Sequence, residues 1–181
     1  MLAVHRIETE RLVLRRPQAV DAEAMFLRYS SDPDVTRYLG WPRHEAVDDT
    51  LAFVQFSDAQ WEQWGCGPYL IERLTDRQLL GGTGLAFDSP QHASTGYVLA
   101  KDAWGCGYAT EALRSVVDQA TQLGINSIHA ICHVDHRASA HVLEKCGFSL
   151  EKTLDEQTFP NLTPPVAPAL SYVHVLVGRS S

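Results

Sequence analysis

Trp104-Gly105-Cys106-Gly107-Tyr108-Ala109-Thr110-Glu111-Ala112 is the most informative stretch of the 181-residue chain. Glycines at 105 and 107 permit a tight turn and a close approach of backbone to a ligand. Behind them Ala109, Ala112, Leu113, Val116, Val117, Ala120 and Leu123 recur at helical spacing, and Gly124 supplies a left-handed stop. The pattern predicts a helix over Tyr108–Leu123, entered from a glycine turn. The free N–H groups and positive end of such a helix suit a phosphate or pyrophosphate, and Thr110 adds a hydroxyl donor. A tight turn that binds nothing would use the same residues.

Two common anion loops do not fit. A dinucleotide fingerprint needs a third glycine and an acidic residue about 20 positions further on. Here the third position is Thr110, the region near Ile125 has no acid, and the loop lies past mid-chain. A P-loop needs Gly-Lys-Ser/Thr, which is absent. A different pyrophosphate carrier, coenzyme A, fits better.

Working outward, Tyr69–Arg73, Leu79–Phe87 and Thr95–Ala100 read as an antiparallel meander joined by polar turns. Before it, Leu12 and Leu14 alternate with Arg11, Val13 and Arg15 as a first strand. Asp21 is placed to cap a short helix carrying Ala22, Met25, Phe26 and Tyr29, which Asp32-Pro33 breaks before a further turn to Leu39. A longer helix is predicted over Glu45–Trp64, with Val47, Leu51, Val54, Trp61 and Trp64 on one face. After the glycine-led helix come a strand over Ile125–His133, a helix over Arg137–Cys146 ended by Gly147, and a strand over Phe148–Leu154. A proline-rich loop holds Pro160, Pro164, Pro165 and Pro168, and Leu170–Val177 closes the chain. No repeat or linker divides residues 1–181, so one domain is expected: an α/β (α+β) fold with one mixed sheet and helices on both faces.

Composition narrows the function. A formal charge of -7 argues against a nucleic-acid surface. No apolar run approaches the ~20 residues needed to span a bilayer. Met1 to Glu10 lacks a signal-type stretch, so no membrane partner and a cytoplasmic location are expected. Cys66, Cys106, Cys132 and Cys146 form no Cys-x-x-Cys pair and read as free thiols. His129, Cys132, His133 and His136 suggest a metal cluster at first sight. On a strand, however, Cys132 and His133 point to opposite faces, and His129 lies about 13 Å from His133. No metal is expected.

With these motifs in place the chain resembles the GNAT superfamily of acyl-CoA-dependent N-acyltransferases. Within it, the chain is similar to the branch of ribosomal-protein N-terminal acetyltransferases of the RimJ/RimL type. The resemblance begins at Glu10-Arg11-Leu12-Val13-Leu14-Arg15 and runs through Gly96-Tyr97-Val98-Leu99 and Trp104 to Ala112. It continues in Ser139 to Phe148, then in Phe159-Pro160-Asn161-Leu162 and the final strand. It implies a mostly antiparallel sheet whose two central parallel strands, Thr95–Ala100 and Ile125–His133, splay apart. It implies that pantetheine bonds along Val98, Leu99 and Ala100 like an added strand. It also implies a cofactor contact at Trp104 and a pyrophosphate site on Gly105, Cys106, Gly107, Tyr108, Ala109 and Thr110, with His136 standing where the family usually has an Asn that contacts the pantetheine arm. Many relatives carry an acid where Thr95 stands.

Acetyl transfer to a primary amine needs a neutral amine, a polarised thioester carbonyl, an oxyanion site and a proton for the departing thiolate. The resemblance marks Ser139 as the thiol contact and proton donor, and the splay offers Val98 N–H to the carbonyl oxygen. The general base is open among Asp88, His92, His133 and His136, or a water chain. Proximity alone contributes ~7–11 kcal/mol, so a dedicated base is not obligatory. Phe53, Phe56, Trp61 and Trp64 read either as acceptor-pocket walls or as core, and Thr158–Pro168 as an acceptor wall, a homodimer contact or a plain surface crossing. The expected partners are acetyl-CoA and an amine acceptor, meeting in a ternary complex with no acyl-enzyme. The rival expectations are a non-catalytic acyl-CoA sensor on the same fold and, from the glycines alone, a nicotinamide-dependent enzyme.

Overall fold

The structure is a computed structural model, and it describes residues 4–176. Met1–Ala3 and Val177, which the sequence reading includes, lie outside the described residues. Eight strands form one sheet: β1 (Arg6–Glu8), β2 (Leu12–Arg15), β3 (Pro68–Arg73), β4 (Leu79–Ser89), β5 (His92–Leu99), β6 (Ser127–His133), β7 (Ser149–Thr158) and β8 (Val166–Val175). Their spatial order is β1-β2-β3-β4-β5-β6-β8-β7. Every junction is antiparallel except β5–β6. The expected mixed, mostly antiparallel sheet is therefore present.

The sheet separates two cores. Along β3 side chains alternate between faces. Leu70 packs with Met25, Tyr29 and Val54 from α1 (Ala22–Met25), the π turn that continues it (Phe26–Ser30) and α3 (Val47–Trp64). Tyr69 and Ile71 join Leu113, Val116 and Leu143 from α4 (Tyr108–Gln122) and α5 (Arg137–Lys145). Leu12, Val13 and Leu14 are all fully buried, so β2 is covered on both faces rather than half-exposed as its alternation suggested.

Several boundaries differ from the sequence reading for local reasons. Asp21 does not cap α1, because its carboxylate accepts from the Arg15 guanidinium and from Gln18 N–H. Asp32 does cap the short α2 (Pro33–Thr36), accepting from Asp34 and Val35 N–H. Helix α3 begins at Val47, two residues late, since the Asp49 carboxylate accepts from the N–H groups of Glu45 and Ala46. Val47 is exposed, and the buried stripe of α3 is Thr50, Val54, Ser57 and Trp61. Ile125 N–H closes α4 by donating to Ala120 carbonyl, so β6 starts at Ser127. Pro168 lies within β8, at the bulge where Leu154 pairs Ala169 and Gln157 pairs Ala167. The proline-rich crossing is correspondingly shorter than the composition implied.

Strands β5 and β6 position the site. They pair only at His92–Ser127, Ala93–Ile128 and Ser94–His129. Beyond this β5 stays with β4 as far as Leu99–Gly81, while β6 follows β8 as far as His133–Ala169. The sheet is thus split between Thr95–Leu99 and the second half of β6.

Candidate active site

Backbone parity decides what the split offers. Ala100 N–H donates to Leu80 carbonyl at 2.7 Å, and Val98 stands opposite Gly82 in the same ladder. Antiparallel pairing alternates by two residues, so Val98 and Ala100 direct their N–H groups at β4. Tyr97 and Leu99 direct theirs into the gap. This corrects the expectation for Val98 as oxyanion donor and for Ala100 as a pantetheine contact. Leu99 carbonyl lies on the open edge, where Trp104 Nε1–H donates to it at 2.8 Å.

Beside that edge the glycine turn enters α4 with φ of +72° at Gly105 and +81° at Gly107. Both angles lie in the left-handed region that side chains resist. Among the described residues no side chain caps α4, and the N–H groups of Tyr108, Ala109 and Thr110 have no intrahelical partner. A Cβ at Gly105 would meet nothing within 4 Å. The turn is braced from a distant segment. Arg11 donates from Nη1 to Cys106 carbonyl at 3.0 Å and from Nε to Glu111 Oε2 at 2.7 Å, with its guanidinium 4.8 Å from the Tyr108 ring centre. Glu111 Oε1 accepts from Thr9 Oγ1–H at 2.6 Å and Arg11 N–H at 2.8 Å. Burial pushes the Glu111 carboxyl up, but these hydrogen bonds outweigh it and hold the group below its ordinary value. Both partners sit in stretches read as motifs, yet no spacing rule pairs residues a hundred positions apart.

At the mouth of the split, Tyr97 Oη lies 2.8 Å from Ser139 Oγ and 2.8 Å from Ser139 carbonyl oxygen. Burial pushes the Tyr97 hydroxyl far up, so it remains protonated at neutral pH. Burial likewise raises the Cys132 thiol to about 11, although Ser139 bonds to it. A protonated thiol is a poor nucleophile, and burial keeps the proton on Cys132 at neutral pH. Thr95 Oγ1–H donates to Gly84 carbonyl at 2.7 Å.

A cavity of about 920 Å³ runs through the split, lined on one side by Tyr97, Cys132, His136 and Ser139. On the other side stand Tyr38, Trp41, His44, Phe53, Phe56 and Phe159. Of the base candidates, Asp88 and His136 line it. His92 instead bonds Ser127 Oγ at 2.9 Å where β5 and β6 are still paired. His133 accepts from Asp135 N–H at Nδ1 and stacks on Tyr38 at 4.6 Å. Burial, and then His133, hold His136 below its ordinary value. Phe53 and Phe56 are cavity walls; Trp61 packs edge-on to Tyr69 and Trp64 stacks on Phe87. The crossing after β7 supplies Phe159 as a wall. Its Asn161 accepts from Arg43 N–H and donates to Thr36 and Trp41 carbonyls at 2.7–2.9 Å, clamping the segment between α2 and α3. His44 had no signal in the sequence, yet it faces the cavity with Nδ1 2.7 Å from Thr50 Oγ1.

A split parallel junction, an open strand edge and an uncapped helix end thus stand next to one another. Residues 11–149 match the family described as Acetyltransferase (GNAT) domain. The chain belongs to the GNAT acetyltransferase family. An uncharacterised N-acetyltransferase of Bacillus subtilis, YoaA, is 33% identical over 166 residues, covering 87% of this chain and 90% of its own. RimL, a ribosomal L7/L12 α-N-protein acetyltransferase solved with coenzyme A, superposes with a TM-score of 0.85 at 20% identity, covering 94% of this chain and 98% of its own. Spermidine N-acetyltransferase from Vibrio cholerae, solved with CoA and spermine, gives 0.79 at 18% identity, covering 93% and 97%. These two share the GNAT fold with this chain. Among the described residues, no helix is long and apolar enough to cross a membrane.

Proposed function

We propose that this GNAT chain transfers acetyl from acetyl-CoA to a primary amine by direct attack within a ternary complex. The observation that carries the reading is the open edge of β5 at Tyr97 and Leu99, continuous with the uncapped start of α4. Pantetheine would extend along that edge as a partial strand, and the pyrophosphate would meet the N–H groups between Gly105 and Thr110. Coenzyme A bound to RimL and to the spermidine enzyme supports the same cofactor here.

The chemistry follows from the groups at the split. Tyr97 N–H points to where the thioester oxygen gains negative charge, and a fixed donor there lowers the barrier. The amine nitrogen bonds to the carbonyl carbon, the carbon–sulfur bond breaks, the thiolate takes a proton from the Ser139–Tyr97 hydroxyl pair, and the proton given up by the attacking nitrogen restores that pair. Both hydroxyls are neutral donors at physiological pH. His136, at the start of α5, stands beside the path of the pantetheine arm.

Thiol release in the presence of acetyl-CoA and an amine panel tests the reading. Amine-dependent release is expected. Acetyl-CoA binding without turnover of any amine or peptide would instead make the chain an acyl-CoA sensor.

A further inference from the structure

The amine side of the cavity is built from hydrogen bonds whose direction can be deduced. Met25 carbonyl oxygen can only accept, and Ser30 Oγ lies 3.3 Å from it. The single hydroxyl proton of Ser30 is therefore directed at Met25. Thr50 Oγ1, 3.1 Å from Ser30 Oγ, must then be the donor of that pair. With its only proton committed, Thr50 can only accept from His44 Nδ1 at 2.7 Å. Donation in that direction along the chain gives His44 the tautomer with the proton on Nδ1 and leaves the Nε2 lone pair. Ser30 reaches Met25 from the last residue of the π turn, a distortion frequent at functional sites.

The surroundings define what meets that lone pair. Trp41 is tilted against His44 at 5.0 Å, and Tyr38, Phe53, Phe56 and Phe159 complete an aromatic chamber. Two carboxylates line the cavity, Asp49 and Asp88. Asp49 Oδ2 is committed to the Glu45 and Ala46 N–H groups, and Asp88 is exposed. A polyamine with several ammonium groups would find few partners here.

We propose that this chamber receives a monoamine with an aromatic or apolar body, and that His44 Nε2 takes a proton from its ammonium group. The inference rests on the transferase reading above. The ammonium gives one proton to Nε2, and from there it passes to solvent. The neutral nitrogen attacks, and its second proton is lost as the thiolate is protonated. Apolar walls favour the neutral amine, which assists the first transfer. Burial holds His44 below its ordinary value, with Asp49 on α3 pulling the other way, so the ring is neutral at pH 7. The remaining titratable neighbours are Tyr29 of the π turn, Tyr38 of the segment between α2 and α3, Arg43 and Glu45 beside it in the chain, and Tyr69, Asp88, Tyr97, His129, Cys132 and His136 across the cavity.

Long-range proton–nitrogen NMR on the labelled wild-type protein at pH 7.5 reads the tautomer without any substrate. His44→Gln supplies the assignment. Protonated Nδ1 and bare Nε2 are expected, and Thr50→Val should release the preference; a proton on Nε2 in the wild type overturns the proposal. Thiol release is then compared for 2-phenylethylamine, spermidine and a tetrapeptide with a free N-terminus. The expectation is a kcat/KM for 2-phenylethylamine at least ~10-fold above the others, falling about 100-fold in His44→Gln with loss of its acid limb below pH 6.5. Preference for spermidine or the peptide, or an unchanged limb in His44→Gln, overturns this inference and leaves the transferase intact. Turnover of none of the three, nor of any amine in the wider panel, removes both.

Discussion

The two sides of the split are built from different materials. The α4 side is backbone: a strand edge at Tyr97 and Leu99, two left-handed glycines and an uncapped helix end, braced by Arg11 and Glu111. The opposite side is side chains gathered from the π turn, the segment between α2 and α3, α3 itself and the crossing after β7. A backbone site serves one invariant partner and tolerates little change in its glycines. A side-chain chamber can be rebuilt for a new acceptor without disturbing the sheet. The reaction is therefore expected to be fixed by the first side and the acceptor by the second.

Substitutions can break that division. The largest effect is expected where the two sides meet. Tyr97→Phe combined with Ser139→Ala removes both hydroxyls near the sulfur and should lower kcat by about 10²–10⁴, the range for a lost acid catalyst. Acetyl-CoA binding by calorimetry should change little. If the double variant retains full kcat, another group protonates the thiolate.

On the backbone side, Glu111→Gln weakens the brace and should raise KM for acetyl-CoA by about 10-fold, equivalent to ~1.4 kcal/mol, with amine KM unchanged. The same variant carries a pH signature. The folded Glu111 carboxyl titrates below its unfolded value, so its contribution is complete above about pH 4.3 and fades as pH falls through the lower folded value. The difference in Tm between wild type and Glu111→Gln should be present at pH 7 and shrink toward pH 3. A constant difference would mean that shape, not charge, holds the turn.

On the side-chain side a smaller effect is expected. Asn161→Ala frees the segment between α2 and α3 from three hydrogen bonds. Amine KM should rise about 3–10-fold, corresponding to roughly 0.6–1.4 kcal/mol of a hydrogen-bond network, with acetyl-CoA KM unchanged. Equal changes in both would show that the two sides are mechanically one.

The same contrast explains what the sequence disclosed. The meander, the two long helices and the glycine turn follow from local periodicity and from residues needed at particular backbone angles. Ser139 and the turn could be singled out because helix and loop motifs are contiguous. Val98 was assigned to the gap although its N–H faces β4, because strand parity depends on the ladder with β4, which a single strand does not reveal. His44, Thr50 and Ser30 are spread over twenty residues without period, and only the packing of α3 on the π turn brings their polar atoms into line. Asn161 lay in a stretch noted for its pattern, but its partners at Thr36, Trp41 and Arg43 are more than a hundred residues away.

Residue-resolved hydrogen exchange with and without acetyl-CoA tests the open strand edge most directly. Without ligand, the amides of Val98 and Ala100, bonded to β4, should be protected, while those of Tyr97 and Leu99 exchange readily. Saturating acetyl-CoA should slow Tyr97, Leu99 and the amides from Gly107 to Thr110 together. Ligand protection elsewhere in the sheet, with Tyr97 and Leu99 unchanged, would contradict the account.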